Sequence, residues 1–156
     1  MNLKKIMSIS CLTIISLKPV LANESCIHSA SHLKCLEFVK VKSADRAVFN
    51  IPNLHPLIGK DATISIAGVR SPSPYSKDKC AKEVGKLAKN FSKSLLKKSK
   101  VIEVKNIRRE KKFSYEGDLI IDNKSMSKIL LKNNYAFKDA DFKNINWCDI
   151  KKNINK

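Results

Sequence analysis

The chain is short of the residues that loosen or interrupt a fold: four glycines and five prolines in 156 residues. That scarcity excludes a low-complexity or collagen-like chain. It is short of acid as well, with 14 Asp and Glu against 31 Lys and Arg, a formal charge of +17. No apolar run approaches the roughly 20 residues that cross a bilayer, so a spanning anchor is not expected. No serine stands in a motif with a histidine and an acid, so a hydrolase triad has no support. What the chain does have is 43% hydrophobic residues, enough for one core in a domain of this size.

The first 22 residues read as a separate unit. Lys4 and Lys5 precede a short apolar stretch over residues 6–15, and Val20-Leu21-Ala22 offers a cleavage site after Ala22. This is the pattern of a secretory signal peptide. Lipidation at Cys11 is the weaker alternative, because Ser8-Ile9-Ser10 matches a lipidation site poorly. Export to the periplasm or the medium is therefore expected, with no transmembrane segment after cleavage. Loss of Lys4, Lys5 and Lys18 with the signal takes the charge from +17 to +14. Such a field attracts polyanions: nucleic acid, lipopolysaccharide, anionic lipid or an acidic protein.

Four cysteines follow the cleavage site: Cys26, Cys35, Cys80 and Cys148. An even number in an exported chain suggests two disulfides, and four cysteines allow three pairings. Cys26–Cys35, closing a short local loop, and Cys80–Cys148, tying the tail to the body, are favoured. His28 and His32 lie between the first two. A zinc site is conceivable there, but a disulfide flanked by two exposed histidines is the simpler reading. His55, alone in a proline-rich loop, reads as solvated.

Three strands are expected over residues 36–41, 46–51 and 62–69, rich in β-branched or alternating residues. Pro52 to Pro56 and Gly59-Lys60-Asp61 break the second from the third. Residues 78–98 are the clearest helix: Ala81, Val84, Leu87, Ala88, Phe91, Leu95 and Leu96 recur at spacings of three and four. Strands over 101–105 and 118–121 follow. A short helix then holds Met126, Ile129 and Leu130, with Asn133-Asn134 as a left-handed cap, and a last one holds Ile145, Trp147 and Ile150. Three strands, a helix and two strands is the order of a five-stranded OB barrel. The expected class is α+β, mainly β, with two to three helices, divided as signal peptide 1–22, disulfide loop 23–35 and OB domain 36–150.

Several of these stretches, in this order, resemble the staphylococcal nuclease (thermonuclease) family and its exported bacterial branch. They are Val69-Arg70-Ser71-Pro72, the long helix, Lys100-Val101-Ile102-Glu103-Val104, Ile120-Ile121-Asp122-Asn123-Lys124 and Leu130-Leu131-Lys132-Asn133-Asn134-Tyr135-Ala136. The insert from Asn50 to Gly59, the cysteine at position 80 and Trp147-Cys148 point to the exported branch. The resemblance implies calcium-dependent phosphodiester cleavage. That chemistry needs hard oxygen ligands for the metal, a carboxylate to orient water and cations facing the phosphorus.

Carried over position by position, the first family aspartate remains as Asp45. The third-strand arginine is Ser65, the second metal aspartate is Arg70, the catalytic glutamate is Ser73 and the last arginine is Ser114. A serine cannot replace a guanidinium fork or a carboxylate. Losing one preorganised donor costs about 10² to 10³ in rate. Arg70 also sets a positive charge where the metal would lie. Arg108, Arg109, Glu110, Glu116 and Asp118 are near enough in sequence to substitute.

A basic run of Lys97, Lys98, Lys100, Arg108, Arg109, Lys111 and Lys112, with Phe113 and Tyr115 beside it, is the candidate polyanion-binding surface. The expectation is thus an exported, catalytically silent binding or assembly module, without a cofactor, for nucleic acid, another polyanion or an envelope protein complex. The alternative is a working nuclease with a rearranged site, which would use calcium. A purely structural disulfide-stapled module is the third reading.

Overall fold

The computed structural model describes residues 26–110 and 114–154. The expected signal peptide (1–22), Cys11, Lys111, Lys112 and Phe113 fall outside them. Nine strands occur among the described residues: β1 (His32–Leu33), β2 (Glu37–Ser43), β3 (Arg46–Asn50), β4 (Ala62–Ile66), β5 (Val69–Arg70), β6 (Ile102–Arg109), β7 (Ser114–Ile121), β8 (Lys124–Ser125) and β9 (Phe137–Lys138). The helices are α1 (Pro56–Gly59), α2 (Lys79–Lys98), α3 (Met126–Lys132) and α4 (Trp147–Ile154). The class is α+β, mainly β, of the OB type.

The sheet runs β1-β6-β7-β4-β3-β2, with β8 on β7. Neighbours are antiparallel except β4 and β7, which pair in parallel. The ladder does not close. One bond, from the Leu36 N–H to the Ile102 carbonyl at 3.0 Å, brings the approach to β2 back against β6. Alternation sets the inward face: along β7, Gly117, Leu119 and Ile121 are buried while their neighbours are not.

Phe49, Ile64, Val104, Leu119 and Leu130 are at most 1% exposed and fill the space between sheet and helices. α2 closes over them with Val84, Ala88 and Leu96. Its N-cap is Asp78, whose carboxylate accepts from the Ala81 N–H at 2.8 Å.

The two favoured disulfides are formed, Cys26–Cys35 and Cys80–Cys148. The second fastens α4 to α2. Trp147 packs there between Phe137 and Phe142, with ring centroids 5.5 and 5.4 Å away.

The structure departs from the sequence reading at several points, among them four helices in the described residues where two to three were expected. The strand expected over 62–69 splits into β4 and β5, because Gly68 takes φ +70° and turns the chain. The fifth strand begins at Ser114, since pairing with both β4 and β6 holds its polar half extended. The turn-rich insert contains α1, with His55 as its cap: Nδ1 accepts from the Leu57 N–H at 3.3 Å. The histidines beside the first disulfide are half-buried rather than exposed.

Candidate functional site

The turn between β2 and β3 carries Asp45, and it is held from below. Ser92 of α2, fully buried, donates to the Ala44 carbonyl at 3.0 Å. From above comes the segment after β5. It can approach because position 85 has no side chain: a Cβ there would lie 2.6 Å from the Pro72 carbonyl oxygen. The result is that Ser71 Oγ donates to Asp45 Oδ1. Ser43 Oγ donates to the same oxygen at 2.6 Å. These residues border a cleft of about 540 Å³ whose other walls include Lys42, Arg46, Arg70, Tyr75, Phe142 and Trp147. Ser73 lies on its rim, exposed, and accepts from the Tyr75 N–H at 3.2 Å.

A second cleft, of about 330 Å³, shares Asp45, Arg46 and Arg70 with the first. Strand register builds it. Arg46, Ser65, Glu116 and Arg108 are successive partners across β3, β4, β7 and β6. Arg46 Nε donates to Ser65 Oγ at 3.0 Å, and Ser65 Oγ donates in turn to Glu110 Oε2 at 3.1 Å. Ser114 Oγ reaches the same Glu110 oxygen at 3.1 Å. Glu110 is held in place through its N–H, which bonds the Ser114 carbonyl at 2.8 Å. Arg108 pairs with Glu116 at 3.2 Å and Arg70 with Asp139 at 3.3 Å. The Arg70 guanidinium also lies 5.8 Å from the centre of the Phe142 ring.

Ser65 and Ser114 are therefore brought together, on one carboxylate, and Asp45 and Arg70 stand in the shared wall. The sequence reading puts Ser65, Ser73, Ser114 and Arg70 where the family pocket carries two arginines and two carboxylates. Charges return from other positions: Arg46, Glu110, Glu116 and Asp139 line the second cleft. The sequence offers Glu110 and Glu116 only as near neighbours of the family positions, and it gives Arg46 and Asp139 no role in the pocket. The signal for Arg46 was the β3–β4 register, which residue identity alone does not supply.

The basic run does not form one patch. Lys97 and Lys98 end α2 and Lys100 follows it, whereas Arg108 and Arg109 lie at the far end of β6. The two groups stand at opposite ends of β6, which a register shift interrupts between Lys105 and Arg108. Lys97 and Lys100 border a groove with Phe38 and Val39, and Arg108 and Arg109 one with Leu33, Leu54 and Tyr115.

The N-terminal loop is an anchor. Its thiols are joined. His28 Nε2 donates to the Pro52 carbonyl at 2.6 Å, and His28 Nδ1 accepts from the Lys34 N–H at 3.2 Å. His32 Nε2 turns the other way, to Glu103 Oε2 at 2.6 Å. Burial pushes the Glu103 carboxyl up, but His32 and Lys105 together outweigh that and hold it below the ordinary glutamate value. Among the described residues no three His, Cys, Asp or Glu side chains gather as a metal site, and no helix is long and apolar enough to cross a membrane.

No curated protein matches the chain. Residues 63–151 match the family model described as staphylococcal nuclease homologue, a span that runs from β4 into α4 and leaves out the Asp45 turn.

Proposed function

The chain belongs to the staphylococcal nuclease homologue family, and from that premise we propose that it is an exported member that holds nucleic acid, or a similar polyanion, without cutting it. The observation that carries this reading is Glu110. Its Oε2 accepts from both Ser65 and Ser114, the positions where the family resemblance sets cations around the phosphate. Two unit charges 4 Å apart interact by about 4 kcal/mol at an effective dielectric of 20. Replacing attraction of that order by repulsion removes the transition-state stabilisation that such a reaction depends on.

The donor set fits calcium poorly. A calcium ion takes six to eight oxygen ligands, several of them carboxylate. In the first cleft one carboxylate, Asp45, accepts from two hydroxyls on one oxygen, with Arg70 on the same wall; in the second, Glu116 and Asp139 are paired with arginines and Glu110 accepts from two serines. The two disulfides fit an oxidising compartment and hence export. The mature charge favours a polyanionic partner.

One observation favours the second reading, a phosphodiesterase with a rearranged site. Arg46 puts a guanidinium directly opposite Ser65, one strand from where the family has one, in a cleft that also holds Asp45 and Glu110. Incubation of the purified chain with single-stranded and duplex DNA decides between them. Calcium, magnesium and EDTA arms are needed, with binding read from the same samples. Salt-sensitive retention without cleavage is the expected result. Metal-dependent digestion would establish the second reading, and a preparation that neither binds nor cuts would leave the structural module or the envelope complex.

A further inference from the structure

α2 carries seven lysines and one acid, Glu83. Six of the lysines, Lys79, Lys82, Lys86, Lys89, Lys93 and Lys97, follow one another at intervals of three, four, three, four and four residues. At 3.6 residues per turn they fall within about 80° of arc and extend over about 27 Å, a charge every 5 to 6 Å or so. Five of the six are exposed. The face with Ala81, Val84, Ala88 and Leu96 is buried in the core. Like charges at this spacing oppose helix formation, so the stripe does not serve the helix itself.

Both flanks of the stripe are defined. On one, Glu83 pairs with Lys151 and the Cys80–Cys148 bridge holds α4. The one acid of the helix is thereby neutralised from outside. On the other, Tyr75 stands over the half-buried Lys89, whose Nζ is 5.4 Å from the ring centre and 3.3 Å from the hydroxyl. Tyr75 is 78% exposed and also lines the 540 Å³ cleft with Lys42, Arg46 and Arg70. An aromatic ring open to solvent therefore joins the lysine row to a cationic cleft.

We propose that the α2 lysine row is a track for a single strand of nucleic acid, which runs along the helix and turns over Tyr75 into the cleft. The inference rests on the polyanion-holding reading above and names its partner and path. The row is as narrow as one phosphodiester backbone. Lysine ammonium groups grip such a backbone without reading sequence, and an exposed ring beside them stacks an unpaired base. An anionic membrane is the poorer occupant, because the apolar face that an interfacial helix would bury in lipid is already buried in the core.

The test is fluorescence anisotropy of a labelled 15-nucleotide oligo-dT against the disulfide-intact chain, over a salt series. A K82Q/K86Q/K93Q variant removes three charges from the track. A K124Q/K128Q/K132Q variant removes three exposed charges elsewhere and is the control. The track variant is expected to bind at least tenfold more weakly, with a log–log salt slope shallower by about 2, three contacts at about 0.7 each. The control is expected to stay within twofold of the parent. Y75A is expected to lose at least about fivefold on the oligonucleotide and nothing on a duplex of equal length. Equal losses in the track and control variants would overturn the track while leaving the binding reading intact. So would tighter binding to phosphatidylglycerol vesicles than to oligo-dT, lost in the track variant. If the parent chain binds no oligonucleotide, both readings fall together. Circular dichroism confirms that each variant is folded.

Discussion

Arg46 on β3 and Ser65 on β4 face each other across an antiparallel pair, and the guanidinium Nε donates to the serine Oγ at 3.0 Å. The serine passes the interaction on to Glu110. A cation and an anion thus share a hydroxyl that the family resemblance would replace by an arginine. The charge at Glu110 is the part that mutation can remove most cleanly.

E110Q keeps the hydrogen-bonding shape and deletes the charge. It is expected to raise affinity for single-stranded oligonucleotide by about fivefold at low salt, because a unit charge 4 Å away is worth about 1 kcal/mol in a water-like dielectric. Cleavage should remain absent. Anisotropy titration checks the first point and gel analysis with calcium the second. An unchanged affinity would mean that bound phosphate stays out of the second cleft.

Stability should depend on pH through Glu103. Its carboxyl titrates below the ordinary glutamate value in the folded chain. The contribution is therefore full above the unfolded value of about 4.3 and is lost as pH falls through the folded value. The melting temperature of the parent should exceed that of E103Q at about pH 5. The gap should narrow below about pH 4. A margin that persists at pH 3 would show that the carboxylate's ion pairs do not matter.

The two disulfides should differ in weight. Cys80 and Cys148 are 68 positions apart and Cys26 and Cys35 only 9. In the chain-entropy model the first bridge stabilises by about 4 kcal/mol and the second by about 2.5 to 3. Guanidinium unfolding of C80S/C148S and C26S/C35S should reproduce that order. The longer bridge also fastens α4, so its loss should expose Trp147 and shift its fluorescence to the red.

G85A sets two effects against each other. Helix propensity alone would make it stabilising by about 1 kcal/mol. The new Cβ would meet the Pro72 carbonyl oxygen at 2.6 Å and the Ser73 carbonyl carbon at 2.7 Å, both backbone. Overpacking against atoms that cannot swing away costs about 1 to 3 kcal/mol, so net destabilisation is expected. It should come with weaker oligonucleotide binding, because the displaced segment carries Ser71 and leads to Tyr75.

Local pattern made most of the fold legible. The apolar spacing of α2 and the strand runs of β2, β3 and β6 are properties of neighbouring residues, and each element lies close to where the sequence placed it. The same was true of the disulfides, where one short loop and one long tie are the economical pairing. What local pattern does not contain is register. That Arg46 opposes Ser65, that Ser65 opposes Glu116, and that Glu110 folds back between two serines all depend on how strands distant in sequence are aligned. The lysine row was legible, since its spacing is written in the sequence. It shares its period with the apolar residues of the same helix.

The parallel pairing of β4 with β7 has a kinetic side. Thr63 meets Ser114, about 50 residues further on, after a helix and another strand have been made. Until then the β4 edge of the β2–β3–β4 meander is bare and its apolar face unroofed, a state that invites association with other unfinished chains. Loop closure over such a span comes late and slows folding. The cationic helix in the intervening segment gives those half-built chains a strong mutual repulsion while they wait.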